Sequence, residues 1–366
     1  MPQASYDYVL ACSRAKGGGW LGQFPAKLDL EPATAWGRFT ALGCWADPEL
    51  AAAANIRVEP RWDATAGQPF VEGLRVSARA RGMPTVTADI PTSYFRLAAA
   101  KIGDALVAQK RLEPRERFDY TVLAFLASAH QDRGFADPFG IVEVPVPMSL
   151  SPGNLNDQLA RSVACGETKP GVIPVFVPQR VIDEVLALTE AAGAVEVGSI
   201  LIGHLRQDGS TKDLFLDLTA QIPAPHAISE SARLSFTADT WAAVQAAVDL
   251  RGSSEQQVGF FHCHPARYWC DKECPPEARQ QCPLNTPFFS TTDCHLHRVA
   301  FSPPYCVALL ITNVHTGMKV TMYGWDHGVI SQRPFHIIQS DATRPLPAVE
   351  TASLIGTDID ENSCHT

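Results

Sequence analysis

One apolar segment that ends in two histidines, residues 259–265 (GFFHCHP), constrains this chain most strongly. Residues two apart in a strand project to the same face, so His262 and His264 can bind one metal ion together. A third ligand, Asp293, is available in the downstream segment Ser290-Thr-Thr-Asp. Two imidazoles and one carboxylate leave a fourth tetrahedral position open, which is the pattern of catalytic zinc rather than of structural zinc.

Two further residues would complete a catalytic centre around that ion. Glu196 stands at the start of a mostly apolar strand, where a carboxylate needs a partner or a function, and it is the candidate general base. Ser290 lies three residues before Asp293, from where its hydroxyl could stabilise an oxyanion. Each residue also has a simpler interpretation, because Glu196 alone could face solvent and a lone Ser-X-X-Asp is more often a helix start.

The order of these motifs is far more specific than any one of them. Glu196, then His262-X-His264-Pro, then Ser290-X-X-Asp293 resembles the JAMM motif of the MPN/JAB metalloprotease family. Residues 196–203 (EVGSILIG) are similar to the family's first strand, and residues 322–325 (MYGW) to its closing strand. Residues 288–297 (FFSTTDCHLH) are similar to its linkage-selective deubiquitinases. The resemblance covers roughly residues 175–335 and does not extend to the N-terminal half.

This resemblance implies a fold, a reaction and a substrate class. The fold would be a curved mixed β-sheet flanked by helices. His262, His264 and Asp293 would bind the catalytic zinc, Glu196 would activate water, and Ser290 would help to stabilise the intermediate. Zinc-bound water would directly attack the peptide or isopeptide bond after the C-terminal glycine of a ubiquitin-like protein. Partners would be that protein, its conjugates and its activating or conjugating enzymes, in a bacterial ubiquitin-like pathway.

The chain departs from the family pattern after Pro265. The spacer between the two motifs is usually several residues long, but here it spans residues 266–289 and contains three cysteines. In the linkage-selective relatives, a histidine that matches His295 belongs to a structural zinc site. We therefore predict a second, closed zinc site with the ligands Cys270, Cys274, Cys282 and His295.

Three alternatives to this second site stay open. His297 could replace His295 as the fourth ligand, and an iron–sulfur cluster could replace zinc. The segment could also be a proline-rich loop with incidental cysteines. The concentration of six of the ten cysteines between Cys263 and Cys306 favours metal in a reducing compartment. Cys263 and Cys294, next to ligands in sequence, are expected to be buried and unligated.

The chain predicts two domains of the α/β (α+β) class and a tail. Residues 1–170 form an N-terminal α+β domain of unassigned fold that would bind a substrate or partner. Residues 171–338 form the JAB/MPN domain, and residues 339–366 a flexible tail. A shift towards Pro, Ser, Gly and Asn between residues 145 and 174 places the boundary near residue 170. Residues 17–19 (GGG) lack the Gly-Lys-Ser/Thr of a phosphate-binding loop, and His130 is the only histidine before residue 200.

Composition and charge restrict the function classes. The net charge of −9 argues against a nucleic-acid-binding protein, which normally carries a basic patch. A signal peptide and an apolar run of about 20 residues are both missing, which predicts a cytoplasmic protein without a membrane span. Processing of a ubiquitin-like sulfur carrier is an alternative activity, and a non-catalytic MPN scaffold is an alternative class. The intact set of motif residues argues against a scaffold, and the lack of His-X-Glu argues against a nucleoside deaminase.

Overall fold

The computed structural model describes residues 5–63, 69–127, 146–168, 171–224, 228–230, 233–269, 275, 277–278 and 282–339. It is a mixed α and β structure in which strands predominate, in agreement with the predicted α+β class. The chain divides into two compact units between Met148 and Ser149, and His327–Val329 group with the first unit. This division precedes the boundary predicted near residue 170, because residues 151–165 pair into the sheet of the second unit.

In its described residues, the first unit contains an antiparallel sheet with two long α-helices and a short one. In the described residues its strand order is β2-β1-β6-β4-β3, with β5 paired to β4. The strands are β1 (Tyr6–Arg14), β2 (Trp20–Ala26), β3 (Asn55–Asp63), β4 (Phe70–Arg79), β5 (Val86–Pro91) and β6 (Phe118–Leu126). The helices are α1 (Glu31–Trp45), α2 (Pro48–Ala52) and α3 (Arg96–Ala108). Its core is formed by fully buried side chains that include Leu10, Cys12, Leu74, Ile90 and Phe95.

The second unit contains a curled mixed sheet. Its described strands follow the order β17-β16-β15-β14-β10-β11-β9-β18-β8, with β7 paired to β10. The bounds are β7 (Ser151–Gly153), β8 (Ser162–Cys165), β9 (Val175–Pro178), β10 (Gly198–Asp208), β11 (Leu214–Pro223), β14 (Gln256–His264), β15 (Val307–Val314), β16 (Gly317–Asp326), β17 (Val329–Arg333) and β18 (Phe335–Ile338). A separate hairpin pairs β12 (Ile228–Glu230) with β13 (Arg233–Ser235).

The α-helices with bounds in the described part of this unit are α4 (Leu155–Ala160), α5 (Gln179–Ala192), α6 (Ala238–Arg251), α7 (Ala266–Trp269) and α8 (Thr291–Ala300). The sequence defines several of their ends. Pro178 precedes the first turn of α5 and Gly193 follows its last residue, while the Thr237 side chain accepts a hydrogen bond from the Thr240 backbone at the start of α6. Within the described part of the chain, no helix has the length and apolarity needed to cross a membrane.

Strand β14 lies inside the sheet and carries the two histidines. It pairs antiparallel with β10 on one side and parallel with β15 on the other. Both faces of this strand are buried, and its sequence is therefore apolar at most positions before the histidines. Gly259 allows the close approach of β15, because a Cβ atom at this position would lie 1.9 Å from the Val307 carbonyl oxygen.

Candidate metal centre

Three predicted ligands meet at the carboxyl end of β14. The Nε2 atoms of His262 and His264 lie 3.1 Å apart. Oδ1 of Asp293 is 3.3 Å from Nε2 of His262, and Oδ2 is 3.4 Å from Nε2 of His264. All three side chains are buried, with at most 8% of each residue exposed. This cluster can hold a metal ion.

The three side chains are close enough to share one ion. Zinc binds imidazole nitrogen and carboxylate oxygen at 2.0–2.2 Å, so ligand atoms on a tetrahedron are separated by about 3.3 Å. The two imidazole nitrogens, 3.1 Å apart, are close to this separation, and each faces a different oxygen of Asp293, at 3.3 and 3.4 Å. Nitrogen and carboxylate ligands suit zinc better than magnesium or calcium, which prefer oxygen. The chemistry of the donor set is therefore compatible with zinc.

A helix terminus fixes the carboxylate of this cluster. Ser290 is the N-cap of α8, and its Oγ accepts a hydrogen bond from the Asp293 backbone at 3.1 Å. In return, the Ser290 backbone N–H donates to Oδ2 of Asp293 at 2.8 Å. This reciprocal pair is a capping box. Ser290-X-X-Asp293 is therefore a helix start that also directs Asp293 towards the two histidines. The oxyanion role of Ser290 stays a prediction.

Glu196 lies immediately before β10. Gly198 of β10 pairs with His262, and the Cys263 backbone N–H donates to the Val197 carbonyl at 3.0 Å. This pairing brings the Glu196 segment alongside the end of β14. The Glu196 side chain is buried, with 4% of the residue exposed. The predicted general base is thus close enough to His262 and Asp293 for their charges to affect its pKa.

Burial and charge interactions compete in the electrostatics of the centre. It raises the pKa of Glu196 to about 7, with Asp293 adding to this effect and His262 opposing it. Burial also disfavours the charged form of Asp293, but the two imidazoles outweigh it and hold the pKa of that carboxyl well below its usual range. Burial opposes a charged His262 ring as well, yet Asp293 and Glu196 raise its pKa above the ordinary value. Burial and the neighbouring His262 ring lower the pKa of His264, so a proton is favoured on His262 and not on both rings.

Aromatic rings surround the two histidines, and the sequence interpretation missed this shell. The ring centroids of Phe289 and His262 are 5.9 Å apart. Phe288 and Trp269 lie 4.8 and 5.4 Å from His264. These apolar walls lower the local dielectric and strengthen charge interactions at the centre. The only signal in the sequence was the Phe288-Phe289 pair directly before Ser290.

The proposed second metal site falls largely outside the described residues. Cys270 and Cys274 lie outside them, whereas Cys282 is partly buried and His295 is exposed on α8. His297 occupies a different environment from either, since its ring is fully buried and packs against Phe260 and Trp325. Neither ring nitrogen makes a hydrogen bond of normal geometry to the described residues. The Cys306 backbone is nevertheless near enough to raise the pKa of this ring against the effect of burial.

Two further sequence expectations concern cysteines next to the ligands. Cys263 is buried, as predicted, and its Sγ contacts the backbone of Val195 and Val197. Cys294 is only partly buried, because it lies on a helix rather than in a strand. The alternation expected of a strand therefore applies to the first of these residues and not to the second.

Comparisons with known proteins add little to this picture. No family model and no curated protein matches the chain. One solved structure, the solution structure of protein DSY2949 from Desulfitobacterium hafniense, shows 19% sequence identity and a TM-score of 0.31. The match covers 46% of this chain and 94% of that chain. Function is therefore inferred from the site itself and from the sequence motifs.

Proposed function

We propose that this chain is a zinc-dependent hydrolase of the JAMM type. The observation that carries the proposal is the convergence of His262, His264 and Asp293 in one buried cluster, with the buried carboxyl of Glu196 nearby. The proposed substrate is the peptide or isopeptide bond after the C-terminal glycine of a ubiquitin-like protein. The reaction class rests on the geometry, whereas the substrate class rests on the sequence resemblance alone.

Each side chain has a distinct role in the proposed reaction. A zinc ion would supply a water molecule that ionises near neutral pH and would polarise the substrate carbonyl. His262, His264 and Asp293 would hold the ion. Glu196 would accept a proton from the attacking water and return it to the leaving amine. Ser290 accepts a hydrogen bond from the Asp293 N–H through Oγ, and its hydroxyl proton would donate to a developing oxyanion.

Two other functions stay close to this proposal. Processing of a ubiquitin-like sulfur carrier would use the same residues and differ only in the substrate. A non-catalytic scaffold would need neither the ligand spacing nor a buried Glu196. Since a buried carboxyl group is costly unless it has a partner or a function, the geometry favours a hydrolase.

The test is cleavage of ubiquitin-like proteins with C-terminal peptide extensions or isopeptide-linked partners. We expect the zinc-loaded wild type to cleave, and a chelator to abolish cleavage. Glu196→Gln should lower kcat by about 10² to 10⁴, the usual contribution of a general base. Glu190→Gln, the same change at an exposed position on α5, is the matched control and should not alter kcat. Undiminished cleavage by Glu196→Gln would contradict the assigned base.

A further inference from the structure

An unusual contact occurs where the ladder between β10 and β14 ends. The last backbone bond of regular type runs from the Cys263 N–H to the Val197 carbonyl, at 3.0 Å. The Val197 N–H donates to Sγ of Cys263 at 3.4 Å. The same thiol donates to the Val195 carbonyl at 3.8 Å. A thiol can both donate and accept, so one sulfur can serve both groups.

We propose that Cys263 is a positioning residue for Glu196, because its thiol bridges the residues on either side of that glutamate. We call the two sulfur contacts, to Val195 and to Val197, the Cys263 bridge. Cys263 stands between the two histidine ligands in sequence. The bridge therefore connects the strand that carries the ligands with the segment that carries the base. This inference rests on the role proposed above for Glu196.

The backbone around Glu196 needs such a bridge. Helix α5 has ended at Ala192 and β10 begins only at Gly198, so no regular element holds the residues between them. Apart from the bridge, the Val195 N–H donates to the Ala192 carbonyl at 3.4 Å, and the Val197 carbonyl accepts from Cys263. Val197 is partly buried and Val195 is exposed. Without the thiol, the Val197 N–H and the Val195 carbonyl would lose their sulfur partner and turn towards water. The segment would then shift, and the Glu196 carboxyl would move with it.

Two other roles for a buried cysteine are distinguishable from this one. A cysteine that only fills space behaves as a small hydrophobe, and valine would replace it without effect on Glu196. A cysteine that binds metal would change the metal content when replaced. The Cys263 thiol is directed at the backbone of Val195 and Val197, outside the cluster formed by the two histidines and Asp293.

The first test is hydrogen exchange of the Val197 amide, which needs no catalytic activity. It compares the full-length wild type with Cys263→Ala, Cys263→Val and Cys263→Ser. We expect exchange at Val197 to accelerate about tenfold in the alanine and valine variants and to stay near wild type in the serine variant, which keeps a donor and an acceptor. Cys165→Ala removes a buried thiol from β8, five positions from β14 in the sheet order, and is the matched control. Unchanged exchange at Val197 in both apolar variants would overturn the bridge.

The second test separates positioning from packing. In zinc-loaded protein, Cys263→Val should lower kcat by about 10 to 100-fold, the usual effect of displacing a catalytic group by about 1 Å, with KM and metal content unchanged. Cys263→Ser should restore most of kcat. Faster exchange with unchanged kcat would show that the bridge does not position Glu196. If wild type cleaves no substrate at all, the proposed function fails, while the exchange measurement still decides whether the bridge exists.

Discussion

The backbone N–H of Ser290 and the carboxylate of Asp293 are joined by a 2.8 Å hydrogen bond that belongs both to helix α8 and to the metal centre. The same carboxylate faces Nε2 of His262 and Nε2 of His264. The start of the helix therefore sets the direction of a ligand, and helix stability and metal binding are linked through one side chain.

This relationship predicts a stability effect for Ser290 that is separate from catalysis. Ser290→Ala removes the oxygen that accepts from the Asp293 N–H, and loss of such a cap costs about 1 kcal/mol of unfolding free energy. Ser290→Thr keeps the cap and should cost only a few tenths of that. Urea unfolding of metal-free protein measures both. Equal stability of the alanine variant and wild type would argue against the cap.

Zinc should stabilise the protein through the three-ligand cluster. A ligand that binds only the folded state at a hundredfold excess over its Kd adds about 2.7 kcal/mol. We therefore expect zinc or cobalt to raise the Tm, and magnesium to leave it unchanged, because imidazole ligands select against magnesium. Thermal scans of wild type and His264→Ala make the comparison. In His264→Ala, the part of the Tm increase that comes from this cluster should disappear. A Tm increase as large as that of wild type would mean that the ion binds elsewhere.

The buried carboxyl of Glu196 predicts a defined dependence of stability on pH. Its folded pKa of about 7 lies above the ordinary value of 4.5, so its favourable contribution is complete below pH 4.5 and is lost as the pH rises through 7. The shift corresponds to about 3 kcal/mol. When the pH rises from 4 to 8, the unfolding free energy of metal-free Glu196→Gln should therefore increase by about this much relative to that of wild type. Denaturant unfolding across this range tests it, and parallel curves for the two proteins would contradict it.

His297 predicts the opposite dependence. Burial, with help from Arg333, lowers its pKa from 6.5 to about 3. The folded state therefore excludes a proton that the unfolded chain binds, and this contribution to stability is present above pH 6.5 and lost as the pH falls towards 3. Between pH 6.5 and pH 3, His297→Phe should therefore lose about 5 kcal/mol less unfolding free energy than wild type. Its metal content should equal that of wild type, whereas loss of an ion would make His297 a ligand.

The cysteine-rich segment predicts a second ion. If Cys270, Cys274, Cys282 and His295 form a closed site, elemental analysis should find about two zinc ions per chain. Cys274→Ser should then lose one ion and much stability, because structural zinc contributes directly to folding. Cys44→Ser, a change at an exposed cysteine of the first unit, is the matched control. One ion per chain in wild type would dismiss the second site.

Long elements carry local signals in their own sequence. Helix α5 has one apolar face, and Thr237 and Gly193 lie at helix ends. The short strands β7, β8 and β18 went unpredicted. Strands of three or four residues carry too little periodicity to be recognised, and their pairing with distant strands gives them their identity.

The sequence by itself determined that His262 and His264 share one face of a strand, because the side-chain period of a strand is two. It also determined that a carboxylate would follow at the start of a helix. Only the tertiary structure decided how the helical positions were used. Asp293 and His297 lie four residues apart on one helix, yet one carboxylate reaches the histidines and one ring enters the aromatic core. Burial of Glu196 and its approach to β14 were also decided there, because both depend on the pairing of segments that are distant in sequence.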